Sequence, residues 1–188
     1  MNRKLIMALG LTIIAAAALI VTVNTLFFNS SSPSINVRIE PENISKLSLG
    51  STFAVNITAE KCANMNGVQV DVRFNPQVLN ITNNGIVEGA LLESANAMVA
   101  PPRIRSLDGT DTPLASLIFQ AGFNNLTGNG VLFSINFEVI SSGSTKIQLY
   151  PYQLGNTTVG TYFLTENLTS LQTNDIIAQL RDASYGMS

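Results

Sequence analysis

The chain of 188 residues contains no histidine and a single cysteine, and only 12% of its residues are charged. The missing imidazole removes the usual general base, the Ser-His and Cys-His dyads and the commonest metal ligand. With Cys62 alone there is no internal disulfide framework, so stability has to come from an apolar core; the thiol is expected reduced near a strand end, with pairing between molecules as the other reading. Setting Arg3 and Lys4 apart from the ten basic residues leaves eight against twelve acidic ones, a net −4 beyond residue 28. Such a surface repels phosphate backbones, and no basic stripe or aromatic-rich platform points to nucleic acid. Helical periodicity is scarce as well, being confined to a short stretch over 86–94 (IVEGALLES) and an ambiguous one over 175–182 (DIIAQLRD).

What remains for catalysis is a carboxylate pair. Asp108 and Asp111 in SLDGTDTP are the nearest candidates, since glycosidases need two such groups roughly 5 to 10 Å apart. Asp-Gly and Asp-x-Pro are turn chemistry, however, and place both acids in water. As calcium ligands the same two fall short of a complete site. The sequence therefore points away from an enzyme, and no cofactor or metal is expected.

The first feature that is present is an uncharged run from Leu5 to Phe28 behind the basic start MNRK. Its 24 residues span about 36 Å as helix, enough for a hydrocarbon core of about 30 Å. With Arg3 and Lys4 ahead of it, the run is expected to act as an N-terminal transmembrane helix over 1–28 that leaves all later residues outside the cytoplasm. Cleavage as a secretory signal near Ala15 to Ala18 is the alternative. Residues 29–34 (NSSSPS) form a linker reaching roughly 20 Å, and the folded domain is expected over 35–188. Asn-x-Ser/Thr triplets begin at Asn29, Asn43, Asn56, Asn80, Asn125, Asn156 and Asn167, all after the hydrophobic run, where a glycosylation machinery would meet them. A Ser/Thr/Asn-rich β surface would give a similar pattern.

From residue 35 onward the dominant period is two, the mark of strands with one dry face. Ile35, Val37 and Ile39 alternate with polar neighbours, as do Phe53, Val55, Ile57 and Ala59. Val68, Val70, Val72 and Phe74 are expected inward, with Gln69, Asp71 and Arg73 turned to water. The pattern returns at Val131, Phe133, Ile135, Phe137 and Val139, and at Thr145, Ile147 and Leu149. A strand face of this kind contributes several kcal/mol at about 25 cal/mol per Å², provided a second apolar sheet covers it. With turn residues about every ten positions, the expectation is all-β, an antiparallel two-sheet sandwich or jelly roll, closed by a terminal strand over 175–182.

One stretch carries more than periodicity. In "FNPQVL" (74–79) the Asn-Pro step ends one inward row and turns the chain before Leu79 and Ile81 re-enter the core. This resembles the aromatic-Asp-Pro-x-Val-Leu turn of cohesin domains, with Asn75 in place of aspartate. "STFAVNITAE" (51–60), "EGALLES" (88–94), "GNGVLFSINFEVISSGSTKIQL" (128–149) and "YQLGN" (152–156) follow in similar order and spacing, and "DASYG" (182–186) extends the likeness more weakly. The chain looks most like membrane-attached or secreted archaeal cohesin-like domains. The resemblance implies a nine-stranded jelly-roll sandwich related to carbohydrate-binding modules. It also implies work by adhesion, as in cellulosome scaffolds, where a flat sheet face grips a calcium-loaded dockerin. Two polar positions of that face, often Asn and Asp, fall at Gly67 and Gln69 here, so the resemblance implies a partner read by a different polar code.

The candidate binding face is Gln69, Asp71 and Arg73, with Tyr150 and Tyr152 of "LYPYQL" as rings that could meet a sugar or peptide or cap the end of the sandwich. The expected role is a membrane-anchored, extracytoplasmic adhesion module. Its partner would be a protein, dockerin-like or another surface protein, or a glycan. Two other classes stay open: a subunit of a surface layer or filament joined by strand addition, and a carbohydrate-binding accessory of polysaccharide degradation.

Overall fold

Alternating apolar residues become strands over nearly the whole folded part of the computed structural model. The chain divides into two units, Met1–Ser32 and Pro33–Ser188, and the structure describes residues 35–107, 113–151, 160–167, 172–177 and 179–186. The expected anchor (1–28) and linker (29–34) lie outside the described residues. Among the described residues no helix is long and apolar enough to cross a membrane.

The strands are β1 (Asn36–Glu40), β2 (Asn43–Ile44), β3 (Thr52–Phe74), β4 (Leu79–Glu88), β5 (Met98–Leu107), β6 (Leu114–Val139), β7 (Thr145–Leu149), β8 (Tyr162–Asn167), β9 (Gln172–Ile177), β10 (Gln179–Arg181) and β11 (Ala183–Tyr185). Among the described residues one short helix, α1 (Ala90–Ser94), lies within the stretch where helical pattern was expected, and β9 and β10 occupy most of the expected closing strand.

Two of these strands are too long to be straight. At about 3.3 Å per residue, the 23 residues of β3 and 26 of β6 would overrun any domain of this size, so the pair must bend. It does so as a ribbon, antiparallel from Thr52↔Glu138 to Phe74↔Ala115, with every register shift between Ile57 and Gly67. Left-handed backbone at Lys61, Asn64 and Asn125, and at Gly128 and Gly130, accompanies those shifts, as β-bulges require. Inward positions change from odd numbers (Val55, Ile57, Ala59) to even ones (Val68, Val70, Val72, Phe74) across the bend. The sequence shows both runs but reads them as separate strands.

The ribbon thereby contributes to two layers. Its first β3 half and second β6 half carry β1 and, through it, β10 on one side and β4 on the other. The remaining halves carry β5 beyond β6, and β8 with β9 beyond β3. β7 continues from the end of β3 to β11 and β2. The pairing is mostly antiparallel, but β1·β10 and β2·β11 are parallel, which corrects a purely antiparallel expectation. Both late strands reach their partners after long connections, and period-two patterning says nothing about direction.

Inner side chains of both layers form one core. Phe119 stacks on Phe133 with ring centroids 4.1 Å apart, and Phe137 meets Phe74 edge-on at 5.0 Å. The Asn-Pro turn works as a hinge between layers. The Asn75 side chain accepts from the Gln77 amide at 2.9 Å, its carbonyl accepts from Leu79 N at 3.1 Å, and its own amide donates to Thr145 Oγ1 at 3.2 Å.

Candidate functional site

Of the two outer faces, one is already satisfied by its own chain. On the β1–β3–β6 side Arg38 pairs with Glu40 at 2.7 Å and Glu60 at 2.8 Å, and Ser134 donates to Asn56 at 2.6 Å. The outer face of β5, β6, β3 and β8 is different. Its rows, read across the strands, are Met98–Gly122–Gly67–Leu164 and Ala100–Gln120–Gln69–Tyr162, followed by Arg103–Ile118–Asp71 and Arg105–Ser116–Arg73.

The middle of this face is polar and closed. Gln120 donates to Gln69 Oε1 at 2.7 Å, and the Gln69 amide donates in turn to the Gly160 carbonyl at 3.0 Å. Asp71 has no exposed surface. Its carboxylate accepts from Ser116 Oγ at 2.7 Å and faces Arg73 at 3.4 Å. Its backbone amide donates to Thr161 Oγ1 at 3.2 Å, and its carbonyl accepts from Tyr150 N at 2.8 Å. The Arg73 guanidinium lies on the Tyr150 ring, 3.1 Å from the centroid. The expectation that Gln69, Asp71 and Arg73 point to water is thus corrected: Gln69 and Asp71 are buried and Arg73 is mostly so. Alternation identifies the face that turns away from the core. It cannot show that Tyr150 and Gly160–Thr161, some 80 to 90 positions further on, close over it.

The other candidates fall as follows. One face of the Tyr150 ring is occupied by Arg73, while Tyr152, Asp108 and Asp111 lie outside the described residues. Among the described residues no group of three or more acidic or cysteine side chains gathers to hold a metal. Of the glycosylation candidates, Asn43, Asn80 and Asn125 are exposed. Asn56 sits inside β3, bonded to Ser134, Asn167 closes β8, and Asn29 and Asn156 lie outside the described residues. Cys62 is a buried free thiol, and burial pushes its pKa up to about 11, so it is no nucleophile.

Periodicity missed the open end of the face. Gly67 and Gly122 are cross-strand partners, and with Leu164 and Met98 at their flanks they floor a depression of about 210 Å³. Met98 is 83% exposed. The sequence signal was there: two glycines interrupting strand patterns, which mark a bulge or a close approach by another group.

No protein-family model and no curated protein sequence matches the chain. Among solved structures it is similar to the second type II cohesin module of the adaptor scaffoldin ScaA from Acetivibrio cellulolyticus, at TM-score 0.56 and 14% identity over 85% of this chain and 99% of that one. It is also similar to a non-cellulosomal cohesin from the archaeon Archaeoglobus fulgidus, at TM-score 0.51 and 13% identity over 81% and 89%. The third cohesin of ScaC from A. cellulolyticus, solved in complex with the ScaB dockerin, matches at TM-score 0.51 and 20% identity over 80% and 96%. The folded domain is cohesin-like in fold, as these structural matches show.

Proposed function

We propose that the domain is a non-catalytic protein-binding module that receives its partner on the outer face of β5, β6, β3 and β8. The observation that carries this reading is the unfilled glycine-floored depression beside the exposed Met98, on a face whose centre is a flush, hydrogen-bonded polar surface. The likeness to a cohesin solved with a dockerin bound supports a protein as the partner.

The module works outside the cytoplasm, tethered by residues 5–28. This is supported by the uncharged run behind Arg3 and Lys4 and by the confinement of all seven glycosylation triplets to the residues after it. Release by signal cleavage would give a secreted form of the same module. Assembly into a filament by strand addition is disfavoured at two edges: β5 carries Pro101 and Pro102 with a register shift between Ala100 and Arg103, and β4 loses register between Ile81 and Ile86. A glycan platform is disfavoured because the Arg73 guanidinium covers a face of the Tyr150 ring.

The test is photo-cross-linking in intact producing cells, from a photoreactive residue replacing the exposed Ala100 of the full chain. A discrete heterologous adduct is expected. A ladder of self-adducts, or none beyond background, overturns the reading, and retention on an immobilised-glycan array would assign the face to sugars instead.

A further inference from the structure

Glycine inside a strand weakens it, because the chain loses more freedom on ordering and has no side chain to pack. Neither Gly67 nor Gly122 has a left-handed backbone, so conformation does not demand glycine at either position. A Cβ on Gly122 would meet nothing within 4 Å, and one on Gly67 would press on the flexible end of Leu164 at 3.2 Å and meet the Ala121 carbonyl oxygen and Leu164 Cβ at the ordinary contact distances of 3.5 and 3.6 Å. What the two glycines supply is therefore space. The depression they floor is walled by Leu164 and Met98 and bordered by Tyr162 and Gln120, dimensions and chemistry that suit one bulky apolar side chain.

Charge on this face is one-sided. Along β5, Arg103 and Arg105 are both exposed and make no ion pair among the described residues. On the rows of this face contributed by β3 (67–73), β5 (98–105) and β6 (116–122) the one carboxylate is Asp71, which is sealed beneath Arg73. At the opposite edge Asp175 of β9 takes the register position beside Leu164. These two arginines stand out on a domain whose net charge is negative.

We propose that the partner is a protein segment that seats one large aliphatic or aromatic side chain on the Gly67–Gly122 floor and sets carboxylates against Arg103 and Arg105. From the row of Gly122 to the rows of Ile118 and Ser116 is four and six residues of β6, so the carboxylates lie about 13 and 20 Å from the apolar anchor. The inference rests on the binding-module reading and specifies its partner.

The test is selection of a displayed random-peptide library on the full chain, followed by affinity measurement on variants. Gly122→Arg fills the floor from a position where a Cβ meets nothing within 4 Å. The selected peptides are expected to carry an aromatic or large aliphatic residue and several Asp or Glu, and to lose about tenfold or more in affinity with Gly122→Arg, as for a filled central pocket. Arg103→Glu and Arg105→Glu should each cost about fivefold at low salt and less at high salt, and replacing a peptide carboxylate by Lys should restore binding to the charge-reversed chain. Met98→Ala, which removes one wall and leaves the backbone intact, should weaken binding while circular dichroism stays unchanged. Peptides lost with Gly122→Arg but rich in Lys, or lacking an apolar anchor, overturn the inference and leave the binding module standing. A library that yields no peptide sensitive to Gly122→Arg removes both.

Discussion

Replacing Asp71 by alanine gives opposite outcomes depending on whether the residue meets water or lies in a closed network. The carboxylate has no exposed surface, and it accepts from Ser116 at 2.7 Å and faces Arg73 at 3.4 Å. Arg73 keeps 16% of its side chain exposed, and its buried Nε already has no hydrogen-bond partner. Asp71→Ala therefore strands a largely buried guanidinium, and breaking such a pair costs about 3 to 5 kcal/mol. The long contact and the remaining exposure of Arg73 place the expected loss at the lower end, about 3 kcal/mol. For a domain of this size that is a fall in Tm of about 6 to 12 °C. Urea and thermal unfolding followed by circular dichroism would measure it. Asp71→Asn, which keeps an acceptor for Ser116, should lose less, and Asp71→Leu with Arg73→Met should recover much of the loss by removing both charges together. A cost within about 0.5 kcal/mol, typical of a surface position, would refute the closed network, as would strict additivity of Asp71→Ala and Arg73→Ala.

Gly89 opens α1 in extended backbone, and a Cβ there would collide with the Val131 carbonyl and lie 2.8 Å from the Leu132 carbonyl carbon; Gly89→Ala should cost about 2 to 3 kcal/mol in the same unfolding assay, and an unchanged midpoint would contradict the packing. Burial raises the Cys62 thiol to about 11, so the fold favours the neutral thiol: that contribution is complete below the ordinary thiol range and is lost as pH rises through about 11. Iodoacetamide should leave Cys62 unmodified at pH 8 unless denaturant is present, whereas labelling at the rate of a free thiol would place it at the surface.

Much of the fold was legible because burial imposes a period. Ile35, Val37, Ile39, Val55, Ile57, Val70, Phe133, Ile135 and Ile147 are all fully buried, as their alternation requires, and "FNPQVL" marks the corner at which the chain leaves β3. The continuity of β3 was hidden, because the bend depends on left-handed Lys61 and Asn64 and on register with a strand some sixty residues away. The candidate site was legible as a strand face and misjudged in its surface. Period two distinguishes the two sides of Gln69 and Asp71 but carries no information on what a distant segment lays over them. The open part of the face is floored by two glycines between Met98 and Leu164, and glycines signal what is absent from a surface, which only the register of four strands can turn into a shape.

Oxidation of Met98 offers the most direct check on the proposed partner face, because Met98 is 83% exposed there while Met65 is wholly buried and serves as an internal reference. Under dilute hydrogen peroxide the purified full chain should form sulfoxide at Met98 far faster than at Met65, and in intact envelopes of the producing cells Met98 should be protected about tenfold by the partner. Equal oxidation of Met98 in the two settings would mean that nothing covers this face where the protein works.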